Sequence, residues 1–143
     1  MNTDSTNRSA AIAPGARHAH WLLRLALASV FLYMGVDKFM GGGIGEFSMM
    51  MGLPLMLAGT VALGEIATGS LILLGGVMAS RLGDLVTRLA ALGMILILLG
   101  AIFMVHWGQW HFMATPSHPL GGMMFQVTLA MMALYLLARG NND

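Results

Sequence analysis

Residues 54–76 read PLMLAGTVALGEIATGSLILLGG, with a single ionisable side chain, Glu65, among apolar, small and hydroxyl-bearing neighbours. At ~1.5 Å of rise per residue, a helix of this length crosses the ~30 Å hydrocarbon core of a bilayer. Pro54 suits the first helical position, where its missing N–H costs nothing and its fixed φ is already helical. Glu65 lies 11 residues from either end of the stretch, near the bilayer midplane. An ionised carboxylate facing lipid there costs at least ~2.5 kcal/mol. Ala58, Ala62, Thr68, Gly69 and Gly76 share its helix face, a stripe of small residues that lets another helix approach closely. Glu65 is therefore expected to face neighbouring helices.

Working outward, three further apolar stretches of similar length follow the same logic, at about 20–39, 85–107 and 120–138. The composition agrees: 57% of the 143 residues are hydrophobic and 9% charged, whereas a water-facing surface calls for about 25% charged residues. The expected fold is all-α, an integral membrane four-helix bundle. Residues 1–19 read as a flexible polar tail broken by Pro14-Gly15, and residues 139–143 as a short second tail. Ala26-Leu27-Ala28 resembles a signal-cleavage site. The apolar run before it is short and holds Arg24, so the first stretch reads as a span. Counting cations gives the orientation. Arg8, Arg17, Arg24, Arg81, Arg88 and Arg139 fall on one side and Lys38 on the other, which places both termini in the cytoplasm.

Several function classes drop out. The chain has no cysteine, so it carries no disulfide, thiolate metal site or Cys-x-x-Cys chemistry. Its net charge of +1, with no basic tract, gives nucleic acid no footprint. Gly41-Gly42-Gly43-Ile44-Gly45 lies between two spans and reads as a flexible turn rather than a phosphate cradle.

Polar side chains within the spans are the candidates for function. Helices alternating in direction bring Ser29 and Tyr33 of the first span to the level of Glu65, with Gln126 and Thr128 of the fourth slightly nearer the outer face. Arg24 is long enough to extend toward Glu65, and it shares a helix face with Ala28, Phe31, Gly35 and Lys38. His106 closes the third span at the outer interface. The candidate ligand-binding set is thus Glu65, Tyr33, Gln126, Arg24, Lys38 and His106. Plain interhelical hydrogen bonding is the stronger reading of Tyr33, Gln126, Ser29 and Thr128. For Glu65 a ligand or proton route is the stronger reading, since intramembrane carboxylates mark such sites.

A metal site at His106, His111 and His118, with methionines nearby, is the weaker alternative. Met49-Met50-Met51 are adjacent and cannot all face one ion, and no pair of mid-span histidines offers itself to haem. No covalently bound cofactor is expected.

The chain resembles the DoxX family. The resemblance is carried by Leu22-Leu23-Arg24-Leu25 leading to Phe31, Gly35 and Lys38, and by Glu65-Ile66 with Gly69 and Leu71 to Gly75. Arg88-Leu89-Ala90-Ala91 and His106-Trp107 complete it, and the likeness runs from about Trp21 to Leu137. It implies a multi-pass protein of the bacterial inner membrane that accompanies oxidoreductases, one branch being similar to the membrane subunit of a thiosulfate:quinone oxidoreductase. The implied role is an accessory subunit, rather than a stand-alone enzyme, that contacts quinone or a redox protein partner. Without cysteine, quinone contact or scaffolding remains in place of thiol chemistry. A scaffold or assembly chaperone and a small-molecule or proton conduit are the alternatives, and homo-oligomerisation is open.

Overall fold

The computed structural model describes residues 18–116 and 121–141. Among them every regular element is a helix: α1 (His20–Asp37), α2 (Gly43–Met51), α3 (Leu55–Val77), α4 (Arg81–Ala101) and α5 (Met124–Arg139). A π-helical segment, Ile102–His106, continues α4.

Local chemistry explains where these elements begin and end. The glycine-rich stretch read as a flexible turn instead leads into α2. The Glu46 carboxylate accepts the Gly42 N–H at 2.9 Å, satisfying a donor at the helix start. Gly52, at φ 63°, closes the helix in the left-handed conformation, and Leu53 N–H returns to Ser48 O at 3.0 Å. Pro54 then caps α3. The third long helix starts at Arg81, earlier than the expected 85, because Ser80 Oγ accepts the Gly83 N–H at 3.2 Å and Asp84 suits the positive first turn. The fourth starts later than the expected 120, from Met124; residue 120 lies outside the described residues.

Packing follows the small residues. Ala58, Ala62, Glu65, Thr68, Gly69, Ile72 and Gly75 form the buried face of α3. A Cβ on Gly35 would lie 2.7 Å from Ile66 Cγ1, and one on Gly69 would lie 3.0 Å from Leu32 Cγ, so α1 and α3 run backbone to backbone. α4 packs on the other side of α3 and also holds α5, whereas α1 and α5 touch only lightly. Leu27 and Phe31, Ile72, Ala91, Met94 and Leu98, and Leu129 and Leu136 fill the space between the four long helices.

The outside is as apolar as the inside. Leu22, Leu63, Leu74, Leu89, Leu96 and Met131 are all more than half exposed, while Arg24 and Glu65 are buried. Apolar outside with charges inside is the arrangement that lipid stabilises and water does not. Among the described residues two helices, Leu55–Val77 and Arg81–His106, are long and apolar enough to cross a membrane.

The α3–α4 approach offers a direct test. A Cβ on Gly75 would sit 2.5 Å from Thr87 Oγ1 and 2.8 Å from Thr87 N. Gly75→Ala is expected to destabilise the protein by about 1 to 3 kcal/mol, as overpacking does, read as a lower thermal midpoint in detergent. Gly45→Ala, whose Cβ meets nothing within 4 Å, is the control and loses nothing.

Candidate functional site

Two polar centres lie at opposite ends of the helix pack. The first gathers residues from the end of α1, the middle of α3, the π segment and the start of α5. Lys38 follows α1 directly, and its Nζ donates to Glu65 Oε2 at 2.7 Å and to Met34 O at 3.2 Å. The ring of Phe47 on α2 lies 4.9 Å from the ammonium. Each side chain of the pair is only 10% exposed. Each therefore supplies the counter-charge the other needs away from water.

His106 reaches the interior because of the π segment. The wider turn changes which side chains face inward: His106 is buried, whereas Phe103, Met104 and Trp107 point outward. Its Nδ1–H donates to Gly121 O at 2.8 Å, since a carbonyl only accepts. Nε2 is left as the acceptor, and the Gln126 amide N–H donates to it at 3.0 Å. In this arrangement the ring carries a proton on Nδ1 and presents Nε2 to the Gln126 amide.

Lys38, Glu65, His106 and Gln126 all line one cavity of about 450 Å³. Its other walls are mostly apolar, among them Phe31, Met34, Val61, Leu98, Phe125 and Leu129. Such a chamber, with few polar groups and a size within the ~300–1,000 Å³ range of small-molecule sites, has the character of a ligand pocket. Four of the six expected site residues thus share one space.

The other two lie elsewhere. Tyr33 is 69% exposed on a different side of α1, beside Leu32, Val36, Asp37 and Met40. Ser29 and Thr128, expected near Glu65, are exposed and bond back to Ala26 O and Met124 O of their own helices, each at 2.9 Å. Arg24 points away from Glu65 and organises the second centre. It has no exposed surface, and one Nη donates to Ile72 O at 2.8 Å and to Thr87 Oγ1 at 2.9 Å. The other Nη donates to Asn141 Oδ1 and Gly140 O.

Asn141 completes this centre. Thr87 Oγ1 donates to its Oδ1 at 2.8 Å, its Nδ2 donates to Gly75 O at 2.6 Å, and its backbone N–H donates to Asp84 Oδ1 at 2.8 Å. No carboxylate pairs with Arg24 among the described residues. Carbonyls near the C-terminal ends of α3 and α5 take that place, where the helix dipoles favour a cation. Arg88 Nη1, donating to Leu137 O at 2.7 Å, adds a second cation at the end of α5.

The loop between α4 and α5 assembles no metal site among the described residues, where no three His, Cys, Asp or Glu side chains gather. His111 is bonded to Met113 O and to Gln109, and His118 lies outside the described residues.

Sequence reasoning missed Thr87, Asn141 and the Lys38–Glu65 contact. A polar Thr87 in the second turn of an otherwise apolar helix, at the level of Arg24, is the signal that points to the second centre.

A search of the curated proteins and one of the solved structures found no match to the chain. The DoxX family model matches residues 19–107, more than half of the chain. The matched stretch contains Arg24, Lys38, Glu65 and His106, the charged anchors of both centres and the histidine of the cavity. By that match the chain belongs to the DoxX family.

Proposed function

We propose that this protein is an accessory membrane subunit of a bacterial oxidoreductase system, and that its cavity binds the head group of a quinone. α1, α3, α4 and α5 are its four spans in the inner membrane, closed as a bundle with both termini in the cytoplasm. The orientation rests on six cations against one. The cavity then lies in the outer half of the bilayer, and the Arg24–Asn141 centre at the cytoplasmic end.

The observation that carries this reading is the cavity itself. It joins the Lys38–Glu65 pair and the His106–Gln126 pair within apolar walls. Lys38 and Glu65 cancel in charge and the other walls are mostly apolar, so the site suits an uncharged ring bearing oxygen rather than an inorganic anion. The apolar walls suit the ring and the start of a hydrocarbon tail. This chain has no cysteine, so electrons reach the quinone from a partner redox protein, and the subunit supplies binding and orientation.

Filling the cavity tests the reading without touching a polar group. Val61 lines it from α3. Val61→Phe is expected to weaken binding of a decyl-tailed benzoquinone by roughly tenfold or more, since the ring must compete for the same volume. Thermal stability should hold. Tyr33→Phe, outside the cavity, is expected to leave binding unchanged. Equal affinity in wild type and Val61→Phe, measured by calorimetry in nanodiscs, would remove the cavity as the site.

A further inference from the structure

We infer that the Lys38–Glu65 wall selects the reduced, hydroxyl-bearing form of the ligand, a neutral hydroquinone, over the quinone. The inference rests on the quinone-site reading above and adds the redox form that the site prefers.

It follows from which polar atoms remain open to a ligand. His106 offers none, because Nδ1 donates to Gly121 O and Nε2 accepts from Gln126. The free amide oxygen of Gln126 is buried against protein, without accessible surface and without a partner. Lys38 is different. Of its three N–H bonds two are used, one to Glu65 and one to Met34 O, which leaves the third.

Glu65 is the more telling residue. Its Oε2 takes the Lys38 proton donor at 2.7 Å. Its Oε1 accepts no hydrogen bond among the described residues, yet it is not among the sealed atoms. Because Glu65 lines the cavity and is otherwise 93% buried, this open oxygen is exposed to whatever fills the cavity.

The wall therefore presents an ammonium N–H beside a bare carboxylate oxygen. A hydroxyl satisfies both. Its O–H donates to Glu65 Oε1, and its lone pair accepts from Lys38. A quinone carbonyl accepts from Lys38 but brings only lone pairs to Glu65 Oε1, which is then stripped of water with nothing in return. An acceptor left unpaired in this way is expected to cost the quinone about tenfold in affinity or more.

Preferential binding of the reduced form raises the midpoint potential of the bound couple. A tenfold preference corresponds to about 30 mV for two electrons. Held on this subunit, the ligand would resist oxidation relative to the free pool.

The full-length protein in nanodiscs is titrated by calorimetry, without oxygen, with a decyl-tailed benzohydroquinone and with the matching benzoquinone. The hydroquinone is expected to bind about tenfold tighter or more. Glu65→Gln is expected to bring that ratio to parity or invert it. Its amide oxygen must turn to Lys38, so its N–H₂ faces the ligand and matches a carbonyl. Should the variant fail to fold, infrared difference spectra of the wild type carry the test. The carboxylate band shifts with hydroquinone and stays fixed with quinone. Equal affinities, tighter quinone binding, a ratio unchanged in Glu65→Gln, or no carboxylate shift overturns the inference while leaving the quinone site standing. Binding of neither form overturns both.

Discussion

Arg24→Ala is expected to destabilise the protein by about 3 to 5 kcal/mol, because it leaves several buried oxygen acceptors short of a donor and opens a cavity. The guanidinium has no exposed surface and holds four acceptors from three distant parts of the chain: Ile72 O, Thr87 Oγ1, Gly140 O and Asn141 Oδ1. Alanine leaves these acceptors facing one another around a void, with Thr87 and Asn141 keeping their mutual bond and the Asn141 contacts to Gly75, Met78 and Asp84. Arg24→Lys keeps the charge but lacks the planar fork that reaches two sides at once, so it is expected to recover less than half of the loss. Thermal midpoints in detergent measure both. A midpoint for Arg24→Ala equal to wild type would mean that this network contributes nothing net to stability.

The second large effect is expected at the Lys38–Glu65 pair, where stability and binding can be separated. Lys38→Met alone leaves Glu65 as an uncompensated carboxylate in an apolar cavity, at a cost of about 3 to 5 kcal/mol. Lys38→Met combined with Glu65→Leu removes both charges and keeps the apolar volume. Its stability is expected to return to within about 1 to 2 kcal/mol of wild type, because the desolvation of both ions is relieved together. Ligand binding is expected to remain lost in the double variant, by roughly tenfold or more, since no polar group of that wall survives. If the double variant melts as low as the single one, the two residues do not act as a charge pair. If it melts normally and still binds ligand, the pair belongs to the fold and not to the site.

Much of the fold was legible because each long apolar stretch is bounded by residues with one strong meaning. Pro54 opens α3 and the small residues around Glu65 mark its buried face, with Ala58, Ala62, Thr68 and Gly69 all inside. α2 was not legible, since its glycines argue against a helix. It is held by Glu46 reaching back to Gly42 and by the left-handed Gly52, and neither contact can be read from propensity. The site was half legible. Depth counting sets Glu65 level with Ser29 and Tyr33, but the contacts of Gly35 with Ile66 and of Leu32 with Gly69 put it level with the end of α1. That offset, a few residues at ~1.5 Å each, together with the rotation of α1 brings Lys38 to the carboxylate while leaving Tyr33 outside. Counting residues fixes neither axial offset nor the rotation of a helix about its axis; packing does. His106 shows the same limit, because only the π segment turns it inward.

The clasp between Arg24 and Asn141 also sets an order of events during biosynthesis. Its two halves are separated by 117 residues, which at ~5–20 residues per second is a wait of roughly 6 to 23 s. On the proposed topology Arg24 spends that interval without Asn141, and the cytoplasmic interface is where a long cationic side chain can stay hydrated meanwhile. The clasp closes only after α5 has been made, so the contacts at the start of the first helix are among the last to be completed.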